Sequence, residues 1–306
     1  MNSSKIKIMS EENVAKALFK LGMPMVVSML IMALYNVVDT YFVSGLGKHS
    51  VAAVSVAFPI SLIFSGIGLT FGAGAGSYIS RLLGGEKKKE ADIVATVAMF
   101  TSVIIGAITG MTLLFLLTDV LKFMGAIPSI IEIAKKYAII FIISTMVSTA
   151  NVTAGNLAVA QGAAKVSLKA MIIGSVLNMV LDPIFIYGLN LGVNGAAIAT
   201  LISQVVTLFI YIIYFKSEKS YIKLKISNFK PTINAYKEIL KVGISMFLLQ
   251  IFSSISMSKI SSSASLYGED AIAAMGIVLR IVTLGTNVVF GYMKGLQPLA
   301  GFNYGA

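Results

Sequence analysis

Two pairs of side chains have types and spacings that could do chemistry together. Asn36 and Asp39 stand three residues apart, and Asn178 and Asp182 four apart. On a helix either spacing places amide and carboxylate on one face. Tyr35 and Thr40 flank the first pair, and Pro183, a kink or break signal, follows the second. Both pairs lie inside long apolar runs, where an ionisable side chain is costly and by default marks function. Carboxylates supply charge, amides orient it or complete an oxygen shell, and carboxyls held away from water can load and release a proton. Together they have the chemistry of a proton or cation site. Thr200, in a third apolar run, can add a hydroxyl or simply pack. The plainer alternative is that each Asp caps a half-helix or ends its segment at an interface.

Other constellations carry less. Residues 253–265 are serine-rich, and Ser256-x-x-Lys259 has the spacing of a serine–lysine nucleophile pair. The S-D-N and K-T-G partner motifs are absent, and serines commonly hydrogen-bond between membrane helices. Lys259, Arg280 and Lys294 are cations within apolar segments, suited to snorkelling, structural pairing or a transport role. Gly66, Gly68, Gly72, Gly74 and Gly76 evoke a phosphate loop, but no strand precedes them and their spacing fits close helix packing. His49 reads as an ordinary exposed histidine. Glu86-Lys87-Lys88-Lys89-Glu90 reads as a solvated turn that can touch anionic lipid.

The segments that must position these residues follow from composition. Of 306 residues 57% are hydrophobic and only 12% charged. That is half the usual charged share, too little to cover a soluble fold of this size, so the bilayer is the expected solvent. No Cys and a single His exclude disulfides, thiolate metal sites, cysteine nucleophiles and a histidine metal cluster. A net charge of +11 would suggest nucleic acid in a soluble chain. Here it reads as basic loops, with no nucleic-acid partner. Windows of about 20 apolar residues predict eight spans, at 14–43, 51–80, 92–117, 133–160, 166–187, 194–216, 236–264 and 272–300. Lysine and arginine crowd the N-terminus and the connections after spans 2, 4 and 6. The positive-inside rule then puts the N-terminus in the cytoplasm. Residues 217–235, polar and lysine-rich, read as a cytoplasmic linker between a six-helix bundle (1–216) and a two-helix partial bundle (236–306).

The chain also repeats itself. Leu18-Phe19-Lys20-Leu21-Gly22 resembles Ile239-Leu240-Lys241-Val242-Gly243. Held without gaps, the same offset aligns Ser44 with Ser265, Gly47 with Gly268, Gly74 with Gly295 and Gly84 with Gly305. Six spans separate the copies, so both enter the membrane in the same direction, as in a parallel six-plus-six transporter repeat. Two full copies need about 440 residues, so the expectation is a chain truncated after the eighth helix.

These segments resemble the multidrug and toxic compound extrusion (MATE) family of secondary transporters, bacterial multidrug branch. Residues 35–47 resemble its first-helix motif, Ile79 to Gly84 its loop after helix 2, and residues 178–200 its helix 5–6 signature. Gln297 to Ala306 is similar to its helix 8 end. The resemblance implies an all-α polytopic fold of two six-helix lobes across a central cavity. Asp39, Asn178, Asp182 and Thr200 match the family's N-lobe proton or Na⁺ site. Tyr35 and Asn36 are auxiliary beside it. Pro24 matches a first-helix proline thought to let that helix bend. Where one branch carries an acidic helix-7 residue, this chain has Gln250 and Lys259, so its second-lobe polar set would be Gln250, Lys259 and Arg280.

The function so implied is export of organic, often cationic and lipophilic compounds in antiport with H⁺ or Na⁺, by alternating access. The exporter would sit in the bacterial cell membrane, a monomer when full length, and need no cofactor beyond the coupling ion. A lipid-linked saccharide flippase of the same superfamily is the alternative, and predicts a basic cavity. An intramembrane hydrolase using Ser256 and Lys259 is a third reading, set below the non-enzymatic ones.

Overall fold

The computed structural model describes residues 4–126, 128–264 and 269–306, without the side chains of 4–6 and of stretches between 254 and 283. Within them the regular structure is helical. A short α1 (Ser4–Ser10) precedes α2 (Val14–Ser44), α3 (Lys48–Gly84) and α4 (Lys88–Phe115). The two-turn α5 (Leu117–Phe123) leads to α6 (Ile131–Ala160), α7 (Ala164–Pro183) and α8 (Val193–Lys216). After an irregular connection come α9 (Ile233–Ala264) and α10 (Glu269–Gly305). Only helices and closed barrels satisfy every backbone donor inside hydrocarbon. Six of these helices, α2, α3, α4, α6, α7 with its extension, and α8, are long and apolar enough to cross a bilayer. Helices α9 and α10 have 32 and 37 residues.

The eight expected spans correspond to the eight long helices, mostly extended by several residues at the end that carries the lysines and arginines, here the basic end. Helix α6 lies at the centre, packed by α3, α4 and α8; α7 fills the angle between α2 and α8. Helix α9 packs on α3, and α10 on both α2 and α3.

That last seam obeys the internal repeat. Gly22 and Gly74 of the first copy correspond to Gly243 and Gly295 of the second. In space Gly295 lies against Gly22, and Gly74 lies against Gly243, where a Cβ on Gly74 would come 3.1 Å from the Gly243 nitrogen. Each residue thus meets the equivalent of its partner, the reciprocal pattern of a two-fold interface. Gly84 and Gly305, mutual equivalents, both lie where the ends of α3 and α10 meet, and Gly85, next to Gly84, would bring a Cβ within 3.2 Å of Gly305 O. The pseudo-axis therefore passes near them. At Gly74 the approach is backbone to backbone, against Ile239 O, so no side chain could be accommodated there.

The connection expected as a linker is fastened down. Gln161, fully buried between α6 and α7, accepts from Tyr221 N at 2.8 Å, Ile222 N at 3.1 Å and Ser220 Oγ at 3.3 Å. Asp92 of α4 accepts from Lys223 N at 2.8 Å, and Lys88 Nζ stands 4.9 Å above the Tyr221 ring. Its irregular part ends where Thr232 Oγ1 accepts from Ala235 N, so α9 begins three residues before the expected span. Of the repeat alignment, Ser265 and Gly268 lie outside the described residues, as do the side chains of Lys259 and Arg280.

Candidate functional site

The site is set by how α7 ends. Pro183 has no N–H to give and cannot continue the hydrogen-bond ladder. The chain widens into a π turn, Ile184–Gly188, closed by Leu189 N donating to Ile184 O at 2.8 Å. Such turns cluster at functional places in helices. The Tyr187 hydroxyl on this turn donates to Phe42 O at 2.5 Å, pinning α7 to α2 three residues beyond Asp39. On the other side Gly195 lets the start of α8 approach the turn. A Cβ there would sit 2.6 Å from the Phe185 carbonyl carbon. One and a half turns further along α8, Thr200 arrives opposite Asn178.

Asp182 is fully buried, Asn178 is 2% exposed and Thr200 8%. With the Asn178 amide turned to suit its neighbours, its nitrogen donates to Asp182 Oδ2 at 2.9 Å. Its oxygen then accepts from Thr200 N at 3.2 Å. The Thr200 hydroxyl lies 3.3 Å from that oxygen and donates to Ala196 O at 2.9 Å. Asp39, half-buried on α2, meets Asp182 carboxyl to carboxyl at hydrogen-bonding range. The Tyr35 hydroxyl, one turn earlier on α2, bonds Thr200. Asp39, Asn178, Asp182, Thr200 and Tyr35, drawn from three helices, thus form one cluster.

The remaining expected residues lie elsewhere. Asn36 is exposed, and its amide donates to Met32 O of its own helix at 2.9 Å, away from the carboxyls. Pro24 is buried four turns nearer the basic end, its carbonyl accepting from Ser28 Oγ at 2.8 Å. Gln250 is partly exposed on α9, a helix that packs on α3 rather than α7 or α8. Ser256 is exposed.

One residue of the cluster was not anticipated. Tyr137 of α6, 4% exposed, stands within electrostatic reach of Asp39, Tyr35 and Asp182 and stacks on Phe141 at 5.0 Å. Following Lys135 and Lys136, it reads in sequence as part of a polar helix start, with no spacing signal tying it to α2 or α7. Among the described residues no group of three or more His, Cys, Asp or Glu side chains could hold a metal ion. A cation here would have two carboxylates and neutral hydroxyl oxygens. The Asn178 amide oxygen faces Thr200 rather than the carboxyls.

Two carboxyls in contact repel strongly if both are ionised, unless a proton or cation lies between them. The arrangement has the chemistry to hold a positive charge between its carboxyls.

Comparison with known proteins agrees with this architecture. Residues 24–184 match the MatE family model. Over 305 residues the chain is 30% identical to the multidrug export protein MepA of Staphylococcus saprophyticus, covering 99% of this chain and 68% of the relative. The MepA protein of Staphylococcus aureus strain NCTC 8325 matches with the same identity and coverage. Among solved structures, an outward-facing multidrug resistance MATE transporter superposes with a TM-score of 0.94 at 32% identity, covering the whole chain and 68% of that protein. A MOP superfamily transporter of Pyrococcus furiosus, described by a reversed binding-pocket polarity, superposes at 0.93 with the same identity and coverage. With its repeat-related helices, its multi-pass membrane architecture and these likenesses, the chain belongs to the MatE family of transporters.

Proposed function

We propose that this protein exports organic, lipophilic, often cationic compounds across the cytoplasmic membrane in exchange for protons. The observation that carries this reading is the contact between Asp39 and Asp182 in a cluster closed by Asn178, Thr200, Tyr35 and Tyr137. A proton suits the pair better than Na⁺. Cations of that kind collect several oxygens, whereas here the amide oxygen faces Thr200 N and the amide nitrogen faces the carboxyl. Loading the pair relieves the repulsion between α2 and α7. The proton's affinity therefore differs between arrangements of these helices, the condition for driving alternating access. The same carboxylates attract a cationic drug, so drug and proton compete for one charge.

The test is efflux of a fluorescent cation from membrane vesicles of cells expressing the native gene, under imposed proton or sodium gradients. Proton-driven efflux is expected, with Asp182→Asn reducing it to background while the protein still inserts. Sodium-driven efflux would overturn the proton reading, and normal efflux by Asp182→Asn would remove the proposed site. The flippase reading calls for a basic cavity. Its candidate cations Lys259 and Arg280 have side chains outside the described residues, so it gains no support here.

A further inference from the structure

Between the carboxyl cluster and the basic end, α6, α7 and α8 enclose a file of buried polar groups that drug binding does not require. On α8 it comprises the buried Thr200, Ser203, Thr207, Tyr211 and Tyr214 and the half-buried Gln204. These recur at every turn within one face, while Phe209, Ile212 and Ile213 point outward. The neighbouring helices supply partners level by level. Asn178 faces Thr200. Asn151 of α6 donates to Gln204 Oε1 at 2.7 Å and Gln204 O at 2.8 Å. Gly174 of α7 leaves the space that Thr207 Oγ1 occupies. Ser167 Oγ lies 3.2 Å from Tyr211 Oη, beside Gly155. Tyr214 bonds Ser220, whose hydroxyl lies 2.7 Å from Ile222 O and 3.3 Å from Gln161 Oε1 at the basic end.

Hydroxyls that bond back to their own helix would explain Ser203 and Thr207 as packing alone, since both donate to the carbonyl four residues earlier at 2.8 Å. Two features go beyond packing. Asn151 Oδ1 and Gln161 Nε2 are buried polar atoms without a protein partner, and both lie on this file. Asn151 is 7% exposed and Gln161 fully buried. Buried groups of this kind are ordinarily satisfied by internal water. Moreover, residues 137–161, 170–181 and 193–215 contain no charged side chain. Lys165 and Lys169, on either side of Ser167, are exposed, so no buried charged side chain in these segments would trap a passing proton.

We propose that this file is the proton's inner route, taking it from Asp182 to the cytoplasm through the body of the first bundle rather than through the drug-binding cleft. The inference rests on the proton-antiport reading. From Thr200 to Tyr214 the route spans about 21 Å along the helix. Its steps of one turn, about 5.4 Å, each take one bridging water. Every oxygen accepts a proton from the Asp182 side as it releases its own toward Ser220. No bond other than O–H changes, and the charge leaves into bulk water. The amides of Asn151 and Gln204 orient the waters without carrying the proton. The value of such a route is that a drug filling the cleft does not block proton exit.

The test uses Thr207→Val and Tyr211→Phe, which remove one hydroxyl each at nearly constant volume, with Thr207→Ser as the variant that restores it. In membrane vesicles of cells expressing the native gene, drug-driven proton movement is read with a pH-sensitive dye and drug binding is measured separately. The double variant Thr207→Val/Tyr211→Phe is expected to move protons at least about tenfold more slowly. Drug affinity should be unchanged, and Thr207→Ser should keep the wild-type rate. A structural defect would lower binding as well, and Thr207→Ser would not distinguish itself from Thr207→Val. Wild-type proton movement in both valine and phenylalanine variants would overturn the route. Absence of drug-driven proton movement in the unmodified protein would instead overturn the antiport reading beneath it.

Discussion

At the scale of single residues, Asn178 does the most with the least. Its amide holds Asp182 Oδ2 with its nitrogen and the Thr200 backbone with its oxygen. It therefore fixes both the carboxyl and the start of α8. Replacing it with alanine leaves a buried carboxyl short of a donor, a loss of about 1.5–3 kcal/mol for a bond to a charged group. Asn178→Ala should therefore weaken proton-coupled efflux roughly ten- to a hundredfold, measured as initial rates at a fixed gradient. Asn36→Ala serves as the contrast. Its amide is exposed and spent on its own helix, so efflux should stay within about twofold of wild type, since exposed substitutions of this kind rarely cost more than 0.5 kcal/mol. Equal losses in the two variants would show that the sequence spacing, not the observed contacts, defines the site.

At the scale of elements, the long helices were legible because twenty or more apolar residues in a row permit little else, and lysines mark their ends. The break after α7 was legible from Pro183, though not its resolution as a π turn, which depends on Tyr187 finding Phe42 O. The linker was only half legible. Its lysines and polarity suggest a loose tether, yet Gln161 and Asp92 pin residues 220–223 to the first bundle. Such pairings join residues 59 to 131 positions apart, and no periodicity records them. Tyr137 escaped for the same reason. Gln161→Leu tests the anchor. The Tyr221 and Ile222 N–H groups lose their acceptor, the latter in a fully buried residue, while Ser220 Oγ keeps Ile222 O at 2.7 Å. At about 1–3 kcal/mol for each group left unsatisfied, residues 217–225 should detach. Tryptic cleavage at Lys223 and Lys225 in membranes is expected to quicken at least about tenfold. An unchanged digestion rate would mean that packing of Ile222, itself fully buried, holds the segment without the hydrogen bonds.

At the scale of the whole molecule, the two copies of the repeat touch along the basic half. Their contacts run through residues 22–26 and 66–84 of the first copy and 239–247 and 291–306 of the second. Two further contacts tie the same end. Arg81 of α3 pairs with Glu238 of α9 at 2.9 Å, and Asn303 of α10 donates to Met9 O of α1 at 3.3 Å. Toward the other end α2 and α9 leave Leu34, Val37, Phe252 and Ile255 more than half exposed. The close contacts between the copies, among the described residues, thus gather on the basic side, where the molecule is shut. The ion pair is not what shuts it: both partners are partly exposed, and pairs of that kind contribute about 0–1 kcal/mol. The glycine seam does, because backbone against backbone leaves no tolerance for a side chain. The proposed alternating access then requires the seam to part and re-form. Cross-linking it tests this directly, since the chain has no cysteine of its own. A Cβ on Gly301 would lie 2.8 Å from Ser80 Cβ, short of the roughly 3.5–4.5 Å of a relaxed disulfide and reachable with a small shift. Oxidising the Ser80→Cys/Gly301→Cys protein should stop efflux, and reduction should restore it, while drug still binds from the outer side. If the cross-linked protein went on transporting, the basic end would be a fixed hinge rather than a gate, and the drug would need another path out of the cytoplasm.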